Sequence, residues 1–179
     1  MKGTGVILAR LIAALILAVS GSGIIDFNVF YIVFSWWTIK LSYLLMNLFH
    51  GAIYAGGNII VVGKNVIELI PACVAASAYL LLALLILFTR GISLKKGLML
   101  FLIGSVLILV ANVIRIEILT ALLLNNGVNY FEALHLFFWK ILSSVYVAAV
   151  WIFLCWWFQI KEIPVYSDFI ALRHLSKKH

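Results

Sequence analysis

The chain has 179 residues, of which 66% are hydrophobic and only 11% charged, with a formal net charge of +7; its mean hydropathy is +1.20. A soluble domain carries about a quarter charged residues, so this composition describes an integral membrane protein, with length for four or five spans and little else. The basic residues sit in short flanks beside apolar runs, at Lys2 and Arg10, at Arg90, Lys95 and Lys96, and at Arg173, Lys177 and Lys178. The positive-inside rule produces that distribution, which argues against nucleic acid as a partner.

The first apolar run, about 6–25, reads as an uncleaved span; "LAVSGSG" at its end imitates a signal-peptide cleavage site, but more spans follow. Residues 28–49 are long enough to cross a bilayer, yet Ser35, Thr38 and Ser42 recur at helical spacing and Lys40 lies mid-segment. An amphipathic helix lying on the outer face keeps every basic cluster cytoplasmic. The expected fold is therefore an all-α polytopic membrane protein with four spans, or five if 28–49 crosses.

Residues 53–69 follow as a small extracytoplasmic β-hairpin, because Gly56-Gly57-Asn58 and Gly63-Lys64-Asn65 are turn signals beside short β-branched runs. Pro71 suits the first turn of a helix and opens a span over 71–89, closed by "TRGISLKKG". The next span covers 97–124, "NNGVNYFEA" makes a loop, and a last span covers 134–158 with Trp151, Trp156 and Trp157 as an interfacial belt. Residues 159–179 form a basic cytoplasmic tail.

Within this background three reactive side chains share one depth. At about 1.5 Å of rise per residue, Cys73 lies roughly 25 Å along its helix from Arg90, and Arg115 roughly 28 Å from Lys96. Both approach the hydrocarbon thickness of about 30 Å, and His135 begins the following span just after the outer loop. A cation beside a thiol favours the nucleophilic thiolate, an imidazole can shuttle the proton, and a guanidinium can also hold the oxyanion formed on a scissile carbonyl. The two roles of Arg115 are not separable from sequence. The plainer readings are an Arg115 that snorkels to the headgroups and an interfacial His135. Cys155 reads as a small buried hydrophobe. The histidines His50, His135, His174 and His179 have no ligand spacing, so neither metal nor cofactor is expected.

The order "IELIPAC", then "NVIRI" in the next span, then a histidine at the start of the one after, resembles the exosortase/archaeosortase family of membrane cysteine transpeptidases, in its smaller archaeal branch. The resemblance includes the hairpin before the cysteine and the basic loop after it, and covers roughly residues 35–158. It implies Cys73 as nucleophile with Arg115 and His135 as partners. Asn112, on the same helix face as Arg115, becomes a supporting polar residue or a packing amide. Glu68 and Glu132 become substrate contacts, partners of Arg115, or solvated carboxylates. One departure stands out: relatives commonly have a small hydroxyl residue and then glycine after the cysteine, where this chain has Val74 and Ala75.

The resemblance further implies a multi-pass enzyme of the cytoplasmic membrane with its site facing outside. Its substrates would be exported proteins bearing a C-terminal motif, a transmembrane helix and a basic cluster. A membrane lipid amine, or water, would accept the acyl group. The rival is a non-enzymatic polytopic protein, such as a transporter subunit or assembly factor, with a structural intramembrane arginine paired to Glu117; residues two apart on a helix do not face each other.

Overall fold

The computed structural model describes Ile12 and residues 29–89, 91–137 and 143–160. The expected first span over 6–25 and nearly all of the tail over 159–179 lie outside the described residues. What is described is mostly helical, with one small antiparallel sheet.

The first element, α1, runs Val29–His50. Its Phe30 ring lies 6.1 Å from Phe101, while His50 Nε2 lies 2.8 Å from Glu117 Oε1. Phe101 and Glu117 both belong to α4 (Leu94–Asn126), so α1 runs lengthwise beside α4 and parallel to it. The segment expected as an interfacial helix over 28–49 is thus a helix packed lengthwise along α4. The small polar residues Thr38 and Ser42, with Met46 one turn on, are buried and form the seam facing the bundle; Trp36 and Trp37 are among the exposed residues. Polar spacing thus picked out the buried face of the helix. With 22 and 33 residues respectively, α1 and α4 are long and apolar enough to cross a membrane.

Three strands follow: β1 (Ile53–Gly56), β2 (Ile59–Val62) and β3 (Asn65–Glu68). The two glycine turns therefore make a meander in the order β1-β2-β3, one strand more than a hairpin. Gly63 takes φ +59°, as the first position of a two-residue II′ turn requires. One face of the sheet, with Tyr54, Ile60, Val62 and Ile67, packs with Met46, Leu69, Ile116 and Leu124.

The chain then enters α2, a single turn at Pro71–Val74, and α3, Ala76–Phe88. These occupy the expected span over 71–89, but the helix is broken at Ala75, which takes φ 57°, ψ 38°. The side chain of α3 residue Leu82 meets α4 at Gly104, where an added Cβ would come within 2.6 Å of Leu82 Cδ2 and 3.0 Å of Leu154 Cδ1. Ile86 likewise faces Gly97, so α3 runs antiparallel to α4. Ser93 caps α4 by accepting from Lys96 N–H at 3.3 Å.

Helix α5 (Val128–Phe137) begins directly after Gly127, whose φ of +81° lets a single residue turn the chain. The loop expected over "NNGVNYFEA" is thus helical on both sides of that glycine. The last described helix, α6 (Ser143–Trp157), packs Val147, Trp151 and Leu154 into a core with Tyr79, Leu82, Leu100 and Ile108. Trp156 and Trp157 face outward, whereas Trp151 is buried. The expected span over 134–158 corresponds to α5 and α6 together, with 138–142 outside the described residues.

Candidate active site

Cys73 sits on the last turn before the Ala75 break, and its own N–H donates to Ile70 O at 2.8 Å. A turn of helix that ends leaves carbonyls without an intrahelical donor. Asn112 supplies one from α4: its Nδ2 donates to the Cys73 carbonyl at 2.7 Å. Arg115 Nη2 approaches the same oxygen at 3.4 Å. A buried amide and a guanidinium thus converge on the backbone of the cysteine from one face of α4, as their three-residue spacing allows. The supporting reading of Asn112 acquires a partner here.

Cys73, Arg115 and His135 line one cavity of about 220 Å³, closed by Glu68, Leu69 and Ile70 from the end of the sheet, by Ile116, Leu119 and Thr120 from α4, and by Phe131 from α5. Arg115 is only 5% exposed, so it is no snorkelling end-cap. Its Nε is buried without a hydrogen-bond partner among the described residues, as is His135 Nδ1. An arginine is over-designed for holding one backbone carbonyl. A buried guanidinium with its Nε unpartnered among the described residues thus stands on the wall of a cavity that also holds a thiol and an imidazole. The imidazole is propped by its own helix, with the Phe131 ring centroid 5.4 Å from that of His135.

The break at Ala75 positions the sulfur. A residue other than glycine in the left-handed region costs about 1–2 kcal/mol, and here the surrounding packing pins it, since Ala75 and Val74 are both buried.

The carboxylates expected near the site divide. Glu68 lines the cavity, but its Oε1 accepts from Asn58 Nδ2 at 3.1 Å and it makes no ion pair with Arg115. The side chain of Glu132 lies outside the described residues. Glu117 pairs with His50 at 2.8 Å, both side chains largely buried (14% and 23% exposed). The Arg115–Glu117 pair of the rival reading is absent among the described residues. Sequence analysis missed the His50–Glu117 pair because it joins the end of α1 to the interior of α4, two helices whose parallel alignment was not legible. It also missed Tyr79 in the main core and the partly buried Tyr146 packed against that core. Tyr79 stacks on Phe34 with ring centroids 3.8 Å apart, and the hydroxyls of Tyr79 and Tyr146 are buried without partners among the described residues.

Cys155 is half-buried and free, packed at the edge of the main core. No group of three or more His, Cys, Asp or Glu suited to a metal occurs among the described residues. A larger cavity of about 540 Å³ lies at the start of α4, lined by residues such as Phe30, Ile86, Ile92 and Phe101. It holds no nucleophile–base pair, so chemistry and not size selects the smaller one. Comparison with known proteins finds no matching family, no matching curated protein and no matching solved structure.

Proposed function

We propose that the chain is a membrane-embedded, sortase-like cysteine peptidase or transpeptidase, akin to the exosortase/archaeosortase family, acting on C-terminal sorting signals of exported proteins. The observation that carries this reading is the convergence of Cys73, Arg115 and His135, from three separate helices, on one cavity. In the proposed topology α1, α3, α4 and α6 cross the membrane of an archaeal cell. The Lys95–Lys96 side is cytoplasmic and the sheet external.

His135 takes the proton of the Cys73 thiol as Sγ attacks the scissile carbonyl carbon. The new S–C bond turns the carbonyl oxygen into an oxyanion. Negative charge thus moves from sulfur to oxygen within reach of one guanidinium, so Arg115 serves both positions in turn. Collapse of the tetrahedral intermediate breaks the C–N bond, and His135 returns its proton to the departing amine. The resulting thioester on Cys73 is then opened by a lipid headgroup amine or by water, the first giving a transpeptidase and the second a protease. Asn112 touches no reacting atom and acts as a positioning residue through the Cys73 carbonyl.

The substrate's own C-terminal helix diffuses in the bilayer and docks laterally, which is why a membrane-buried site suits it. The test is replacement of Cys73 by Ala in the host, followed by mass spectrometry of the C-terminal peptides of surface proteins. Retention of uncleaved C-terminal helices is expected; an unchanged set of C-termini overturns the reading.

A further inference from the structure

The strand that leads to the nucleophile has a free edge. Leu69 N–H donates to Asn58 O at 2.9 Å, which identifies Asn58 and Leu69 as a hydrogen-bonded pair of the antiparallel ladder. Such pairs alternate along two strands. With the register Ile60↔Ile67 and Val62↔Asn65, those two pairs are also hydrogen-bonded, while Val61↔Val66 and Ile59↔Glu68 are not. The N–H and C=O groups of Val66 and Glu68 therefore point away from β2, toward the side of β3 that carries no strand. Neither has a backbone partner among the described residues.

Exposed edges of this kind are ordinarily blocked, because they template pairing with another chain. Here the edge is short, its Val66 is 68% exposed, and the Glu68 carboxylate is drawn back onto Asn58 of its own sheet. The edge also ends in the candidate active site, since Ile67, Glu68, Leu69 and Ile70 line the cavity holding Cys73.

We infer that β3 is the substrate-docking edge: the segment of the exported protein just before the scissile bond adds to it as a fourth strand. This rests on the proposed peptidase reading and specifies how that site takes its substrate. Recognition by strand addition draws affinity from backbone groups and selectivity from alternate side chains. The direction follows from topology. β3 runs toward Cys73 and precedes the helix that enters the membrane, so the substrate residues on that side are those upstream of its own membrane helix, lying parallel to β3. At about 3.3 Å per residue, positions two to four before the scissile bond face Val66 and Glu68. The apolar lining from Leu69, Ile70 and Leu119 receives alternate side chains of the same segment.

The test uses the full-length protein in its host. Val66→Pro removes the outward donor at a position whose N–H no strand uses, which an edge strand tolerates; Val66→Thr keeps it. The Cys73→Ala strain first identifies a surface protein whose C-terminal processing it stops. Val66→Pro is expected to slow processing of that protein about fivefold, the effect of one ordinary backbone hydrogen bond, and Val66→Thr, which keeps the donor, to slow it much less. Wild-type processing by a stably inserted Val66→Pro protein overturns the inference and leaves the peptidase reading intact, whereas unchanged C-termini in Cys73→Ala overturn that reading itself. Should Val66→Pro fail to accumulate, cysteine cross-linking decides. Val66→Cys, in a Cys73→Ala, Cys155→Ser background, is expected to form disulfides with cysteines placed two to four residues before the cleavage site. Absence of such links, or links only between two copies of the enzyme, refutes substrate docking at this edge.

Discussion

Replacing Asn112 by Ala isolates what holds the cysteine in place. The amide is fully buried and donates 2.7 Å to the Cys73 carbonyl, while Arg115 reaches the same oxygen only at 3.4 Å. Truncation leaves a buried acceptor with its weaker donor alone, a penalty of about 1–3 kcal/mol, and opens a small void beside it. Ile108, one turn earlier on the same buried face, gives the control. Ile108→Ala creates a void at a cost of about 2–5 kcal/mol without touching Cys73. Stability is read by denaturant titration in detergent, and the cysteine by its rate of alkylation in folded protein. Both variants are expected to lose stability, but only Asn112→Ala to change the alkylation rate of Cys73. A packing amide would behave as Ile108 does, and equal alkylation rates in the two variants would refute the positioning role.

Other substitutions test other joints. Ala75→Gly is expected to match or exceed the wild type in stability, by up to about 1 kcal/mol, because the left-handed strain it relieves exceeds the chain entropy glycine adds. Ala75→Val is expected to be clearly destabilised in the same titration; the opposite order would deny the break. Removal of either His50 or Glu117 costs about 1–3 kcal/mol by stranding its partner, and a double-mutant cycle should return a coupling of about 0.5–3 kcal/mol; zero coupling would dissolve the pair. Arg115→Lys is expected to leave processing of surface proteins almost as impaired as Arg115→Ala does, since a lysine is a point charge without the planar fork that reaches both the Cys73 carbonyl and the cavity. Full activity in the lysine variant would reduce the arginine to its charge.

Several of these joints were legible as sequence. Helix rise alone put Cys73 and Arg115 at one level, and the hydrogen bond from Arg115 to the Cys73 backbone joins them there. Three-residue spacing put Asn112 on the face of Arg115. What spacing could not supply was the identity of Asn112's partner, a backbone carbonyl whose availability follows from a break at Ala75 that no glycine announced. What α1 packs against was not legible for a related reason. Thr38 and Ser42 mark a helix face equally well whether it meets water or a close-packed neighbour, and only the Phe30–Phe101 and His50–Glu117 contacts distinguish the two. The stretch around Gly127 reads as a loop because Asn125, Asn126 and Asn129 favour turns in isolation, whereas the chain is helical on both sides of that glycine.

The most direct measurement is the time course of Cys73 labelling by a membrane-impermeant maleimide on intact cells, in a Cys155→Ser background. The account predicts labelling from outside that slows about tenfold when Arg115 is replaced by Ala, as expected for a thiolate that loses its supporting cation, and slows again in His135→Ala. A Cys73 that reacts only from the cytoplasmic side, or at a rate indifferent to both substitutions, contradicts it.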